Sequence, residues 1–398
     1  MKRTLYTISI VLIIAVTFVN CSKEYTTTGT TELFTAVKTA FGSNIDPENL
    51  LNYANQLVPG YIRKDNTTPG NSITNTKATL GRVLFYDKNL SIDNTISCAS
   101  CHQQAIAFTD SAIASKGVVN GLTGRHAMRL VNTRFAAENK FFWDERAATL
   151  EQQTTKPMQD HAEMGFSGLS GRPNITALLT KLQGIGYYNE LFKWIYGDIN
   201  VTETRLQECL AQFIRSIQSF DAKYDVGRAQ VASDSIDFPN FTAQENAGKA
   251  LFLSKPIFNA TGNRIAGGVG CGGCHRAPEF DIDPNSGNNG IIGSLSSNTP
   301  DFSNTRVASL RDVTNSTGIP NSPMMHTGVI TTIQKAIGHY GNINANGNNP
   351  NLDARLKPNG FGQQLHLTAP EVNSLIAFLN TLTGKNIYTD VKWSNPFK

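Results

Sequence analysis

Two thiols and an imidazole recur at one spacing. Cys98, Cys101 and His102 form CASCH, and Cys271, Cys274 and His275 form CGGCH. Three chemistries use such groups. Four thiolates can hold zinc, but structural zinc sites keep their ligand pairs close together and need no His after each pair. A C-x-x-C pair can cycle as a redox disulfide, which leaves the repeated His unexplained. Covalent haem c accounts for every residue: the thiols add to the haem vinyl groups and the next imidazole binds the iron. The spacing is short because one turn of chain must present both sulfurs at the porphyrin edge and bring the His ring beneath the iron. Two covalently bound haem c groups are expected, with His102 and His275 as proximal ligands. Cys209 lies in TRLQECLAQFIRSIQSF, where Leu206, Leu210, Phe213, Ile214 and Ile217 recur at helical spacing. It reads as a buried thiol in a helix.

Elements must position these pentapeptides. TNTKATLGRVLFY (74–86) and TAQENAGKALFL (242–253) each read as a helix leading through a loop into C-x-x-C-H. Thr242 and Glu245 form a capping box. TAPEVNSLIAFLNTLTG is a closing helix, capped by Thr368, boxed by Glu371 and stopped by Gly384, with a buried stripe of Val372, Leu375, Ile376 and Leu379. Helix, C-x-x-C-H, loop and closing helix is a cytochrome-c-like plan, used twice. The fold class expected is mainly α: two cytochrome-c-like haem domains packed against each other, with little β beyond one short hairpin. A boundary is expected around 222–241, giving an N-terminal haem domain over 74–235 and a C-terminal one over 236–398. Gly- and Asn-rich stretches near 284–305 and 341–362 read as surface loops.

With 398 residues, 40% hydrophobic and 17% charged, the chain is long enough for two globular cores. Its net charge of +4 is scattered, which argues against nucleic acid as a partner. Lys2 and Arg3 precede an apolar run to Val19, too short for a membrane span, so residues 1–21 read as an export signal. Cys21 stands where a bacterial lipoprotein carries its lipid, although Asn20 replaces the usual small residue. Residues 22–73 then serve as a tether and N-terminal extension. The working compartment is the periplasm or outer envelope, with a lipid anchor through Cys21.

The chain resembles the bacterial di-haem cytochrome c peroxidase and MauG family. The likeness runs over roughly 75–390. It is carried by LGRVLFYDKNLSIDNTISCASCHQQAIAFTD, FFWDERAATLEQQTTKPMQDHAEMG, CGGCH, and SLRDV followed by PMMHTG and HYGN. The resemblance implies a peroxidatic N-terminal haem and an electron-transfer C-terminal haem. Glu163 matches the family's acid–base carboxylate, which would take a proton from peroxide and return it to the leaving oxygen. Gln153 matches the distal amide, with Gln152 beside it as a rival. Trp143 matches the aromatic residue between the haems, where an oxidisable indole could relay an electron. Tyr340 falls on the family's second axial position at the C-terminal haem iron, with Met324, Met325, His326 and His339 as neighbours. A phenolate there would depress the potential relative to a thioether. Taken alone, Glu163 reads as a surface carboxylate and Trp143 as a core residue.

Two departures from the family pattern matter. The loop TDSAIASKGVVNGLTG holds no His or Met to cap the reactive haem, so its face should be open even when oxidised. His126 replaces an Asn that helps bind an interdomain Ca²⁺ in relatives, leaving Asn321 and Pro323 as the matching carbonyls. The activity implied is reduction of hydrogen peroxide to water, with electrons from a small redox protein such as a cytochrome c or cupredoxin. The alternatives are a MauG-like oxidase acting on a protein side chain and, in a different class, a non-catalytic electron-transfer cytochrome. The family is also compatible with a homodimer.

Overall fold

The computed structural model describes residues 34–281, 284–345 and 348–398. The export signal and Cys21 lie outside the described residues. Among the described residues, helices dominate the regular structure, and the sheet content is one antiparallel hairpin, Pro256–Phe258 with Arg264–Gly267. No helix among the described residues is long and apolar enough to cross a membrane.

Each C-x-x-C-H is preceded by a capped helix. Thr74 accepts a hydrogen bond from Lys77 N and starts Asn75–Tyr86. Thr242 and Glu245 close a capping box at the head of Ala243–Leu253. The first helix packs on Glu203–Ser216 and the second on Ala369–Asn380. Both crossings turn on a glycine. A Cβ at Gly81 would stand 2.0 Å from the Cys209 carbonyl oxygen and 2.7 Å from Phe213 Cβ. A Cβ at Gly248 would stand 1.9 Å from the Ser374 carbonyl oxygen and 2.9 Å from Phe378 Cβ. The two halves therefore repeat one device: glycine on the leading helix, a backbone carbonyl on the closing helix, and a phenylalanine four residues later. Gly248→Ala must push two helices apart or bend them. We expect it to cost about 3 kcal/mol in chemical denaturation, with the unfolding midpoint falling and the slope unchanged.

Among the described residues, two large buried clusters result, beside a small third one of Ile343, Leu352 and Leu356. One gathers Phe85, Phe108, Leu210 and Phe213; the other gathers Tyr224, Phe252, Phe280 and Phe378. Ile217 belongs to the first cluster, and Tyr224 and Phe238 belong to the second. The chain end crosses back: Ile387 and Trp393 are buried in the first cluster, and Tyr53 Oη donates to the Lys392 carbonyl. The expected extension is also built in from Phe34 onward, because Thr35–Phe41 packs on Gly186–Tyr196.

The closing helix ends at Asn380, not at Gly384. Gly384 instead donates its N–H to Asp312 Oδ1, and a Cβ there would collide with Ser219 Oγ and Asp221 Oδ1. The Asn-rich stretches are not loose surface loops throughout. Asn288 is fully buried and exchanges two 2.8 Å amide bonds with Asn349.

Candidate haem-binding and redox site

Each pentapeptide opens onto a cavity. The first is walled by Cys101, His102, Phe142, Gln153 and Glu163, and the second by Cys271, His275, Met324, Met325 and Tyr340. With their mouths included, they enclose about 1490 and 1290 Å³. His126, Arg129, Trp143 and Arg306 line both, so the two cavities share one wall.

The residues fit haem c. Among the described residues no disulfide joins the cysteines of either pentapeptide. Burial pushes the Cys98 and Cys271 thiols up to about 12 and Cys101 up to about 11. These three thiols are held neutral, a form compatible with thioether formation at a haem vinyl group. Burial also pulls His102 and His275 down to about 4, keeping both rings neutral as iron ligation requires. His102 Nδ1 lies 3.2 Å from the Phe108 carbonyl, so Nδ1 carries the proton and Nε2 is left free to bind a metal. At His275 the Ala308 carbonyl acts on the ring without closing a hydrogen bond at Nδ1.

Glu163 sits in a turn held at three points. Its N–H and that of Ala162 both donate to Asp160 Oδ1, and its carbonyl accepts from Val118 N at 3.0 Å. The last bond comes from the loop expected to leave the haem face open. That loop lies against the turn, since a Cβ at Gly117 would stand 1.9 Å from the Ala162 carbonyl oxygen. The Glu163 carboxyl is raised to about 7, first by burial and then by the Asp160 charge, against the pull of Arg146. Gln153, not Gln152, faces the cavity; Gln152 Oε1 is turned back to Ala148 N at 3.3 Å.

Trp143 spans the shared wall. Its Nε1 donates to the His126 carbonyl at 2.8 Å, and its ring meets His326 edge-on at 6.2 Å. His126 is buried, with Nδ1 donating to the Ala112 carbonyl at 2.9 Å and Nε2 left without a partner. In the second cavity the Asn289 amide donates to Tyr340 Oη at 3.2 Å and to Met325 Sδ at 3.0 Å. Burial holds the Tyr340 hydroxyl well above its usual range. Of the rivals, the two histidines are occupied elsewhere: His339 Nε2 meets the Asn289 carbonyl and His326 Nε2 the Gly293 carbonyl, both at 2.8 Å, whereas Met324 and Met325 line the cavity beside Tyr340. Asn321 Nδ2 donates to the Asp312 carbonyl, and Pro323 lines the second cavity. Among the described residues, no group of three His, Cys, Asp or Glu side chains could hold a metal ion.

The sequence reading missed Asn289, Arg129 and Arg306. Arg306 falls between the quoted blocks, and Asn289 lies in a stretch read as a loop. Only their place beside the cavities marks them.

The chain is similar to known proteins over most of its length. Residues 75–231 match the family model for di-haem cytochrome c peroxidase. The chain is 27% identical over 324 residues to the methylamine utilization protein MauG of Methylophilus methylotrophus, covering 79% of this chain and 84% of that protein. It is 25% identical over 321 residues to the cytochrome c551 peroxidase of Nitrosomonas europaea, covering 77% and 80%. Among solved structures, a MauG-like protein associated with microbial copper homeostasis superposes with a TM-score of 0.64. It is 25% identical, with 86% of this chain and 99% of that one covered. The diheme peroxidase BthA of Burkholderia thailandensis shares the fold at a TM-score of 0.57 and 22% identity, covering 86% and 96%.

Proposed function

Because the chain is a relative of the di-haem cytochrome c peroxidases and MauG proteins, we propose that it is an exported di-haem peroxidase. It reduces hydrogen peroxide to water in the first cavity with electrons that arrive through the second. Haem c at each pentapeptide would supply the iron chemistry that cleaves the O–O bond and the one-electron carrier that replenishes it. The chain's own residues do the rest. Glu163 accepts the proton from one peroxide oxygen and delivers it to the other, so that the departing group leaves as water. Gln153 orients the peroxide from the same wall. Trp143 bridges the cavities, and its indole N–H is fixed by the His126 carbonyl, which keeps the ring in one orientation. One peroxide, two electrons and two protons yield two waters.

The observation that carries this reading is Glu163 facing the cavity of Cys101 and His102, with its carboxyl poised near neutrality. The test is turnover of the purified holoprotein with peroxide and a reduced small cytochrome or cupredoxin. Two donor molecules should be oxidised per peroxide over many cycles. If no such donor is oxidised, the peroxidase reading fails.

Tyr340 favours a second reading, a MauG-like oxidase acting on a protein side chain. Tyr340 lines His275's cavity with a buried phenol, and as a ligand it would hold that centre at low potential. Poor donor turnover with persistent storage of peroxide's oxidising equivalents would select this reading. In either case Cys21 would tether the protein to an envelope membrane, and export would give it the oxidising compartment in which it works.

A further inference from the structure

Two guanidinium groups in the shared wall lack the partners that buried charges need. Arg306 is 5% exposed, and its Nε and Nη1 make no hydrogen bond. Arg129 lines the same wall with Nε unpartnered. Breaking a buried ion pair by removing one partner typically costs several kcal/mol, so a native chain does not leave such charges uncompensated. The surrounding acids do not satisfy them. Glu138, Glu145 and Asp281 act on Arg306, and Asp312 acts on Arg129, but only at a distance. Asp281 is already bound by Lys64 and by Ala137 N. Asp312 Oδ1 is bound by Gly384 N and the Tyr388 hydroxyl.

Each arginine also reaches across the interface. Arg129 belongs to the segment that follows CASCH, yet its Nη1 donates to the Ser309 carbonyl at 3.1 Å. Arg306 belongs to the segment that follows CGGCH. Its guanidinium stacks 4.5 Å above the Phe141 ring, and its backbone N–H donates to the Trp143 carbonyl at 3.1 Å. Phe141 is a wall of the first cavity.

We propose that Arg129 and Arg306 form a crossed anion clamp: each binds a propionate carboxylate of the haem held by the other half of the chain. Arg306 takes a carboxylate in the first cavity and Arg129 one in the second. Planar guanidinium and carboxylate pair through parallel N–H donors, which suits a rigid macrocycle that must not rotate in its slot. The clamp ties the spacing of the two centres to the fit between the halves, so that Trp143 spans a fixed gap. It rests on haem c at both pentapeptides and not on which reaction the protein performs.

A buried positive charge beside a haem disfavours its ferric state, so removing it lowers that haem's reduction potential. The experiment is a spectroelectrochemical titration of the holoprotein and of Arg306→Gln, Arg129→Gln and Arg306→Lys, with covalent haem counted per chain. Arg306→Gln should lower the potential of the first haem more than the second. Arg129→Gln should do the reverse, and Arg306→Lys should restore most of the loss because it keeps the charge. Two haems per chain with both potentials unmoved in the Gln variants overturn the clamp. A shift confined to the haem of the arginine's own half overturns the crossing. If one Gln variant does not fold, the other and the Lys variant still decide. Fewer than two haems in the unmutated chain would instead sink the premise.

Discussion

Glu163→Gln lowers peroxide turnover by about 10²–10⁴-fold while both haems stay attached. Gln keeps the shape and the hydrogen-bonding capacity of the side chain but cannot accept and return a proton. The backbone that positions it should not move, because the three bonds that hold the turn all use main-chain atoms of 162 and 163. The pH dependence follows from the cause of the shift. Burial and Asp160 raise the carboxyl from 4.5 to about 7. A general base must start ionised, so turnover rises with pH through about 7 and levels off above it. In the Gln variant that limb disappears and the residual rate is flat. The same raised value costs stability in the other direction. The penalty for ionising Glu163 in the fold is absent below pH 4.5, grows above it, and is complete above about 7. Steady-state rates between pH 5 and 9 for both proteins check the claim. An unaltered rate in the variant would remove Glu163 from the chemistry, and a limb that persists would assign the titration to another group.

Much of this site is legible in the chain because its determinants are local. C-x-x-C-H packs a whole attachment site into five residues, and Thr242 with Glu245 announces a helix within four. The stripe of the closing helix follows from period alone, although Phe378, absent from the expected stripe, is its most buried member. What stayed hidden depends on partners far along the chain. Gly81 and Gly248 look like minor flaws in helices until Cys209 and Ser374 come against them. Cys209 is fully buried there, with its carbonyl against Gly81 and its thiol 3.2 Å from the Tyr196 hydroxyl. The unpartnered nitrogens of Arg129 and Arg306 are invisible in one dimension, since an arginine in a polar stretch reads as solvated. The return of Trp393 to the first core breaks the rule that a chain end belongs to the half that precedes it.

Glu151→Ala should cost about 3–5 kcal/mol of stability, the largest loss expected from any single carboxylate here. Glu151 binds Arg215 through both of its oxygens, and it accepts from Thr68 Oγ1 and Asn71 Nδ2 at 2.7 Å each. Arg215 is 1% exposed, so truncating Glu151 leaves a cation buried without its counter-charge. These bonds tie the N-terminal extension to the helix Leu150–Thr154 and to Glu203–Ser216. Arg215, with Asn71 and Thr68, holds the Glu151 carboxyl down from 4.5 to about 2, and burial opposes them. A depressed carboxylate stabilises the fold fully above pH 4.5 and loses that contribution as pH falls through about 2. The shift corresponds to about 3 kcal/mol, consistent with the low end of the mutational loss. Urea unfolding of the parent and the variant should therefore differ most at pH 6–7 and converge toward pH 3. Replacing Arg215 by Met in the same chain should recover most of the deficit, because the stranded charge is removed along with its partner. A loss below about 1 kcal/mol at neutral pH would mean that water reaches Arg215 when the carboxylate is gone. The effect also reaches the first cavity. Gln153 lies two residues along the same short helix, so peroxide turnover in the variant should fall even where the chain remains folded, with the acid limb of Glu163 still in place.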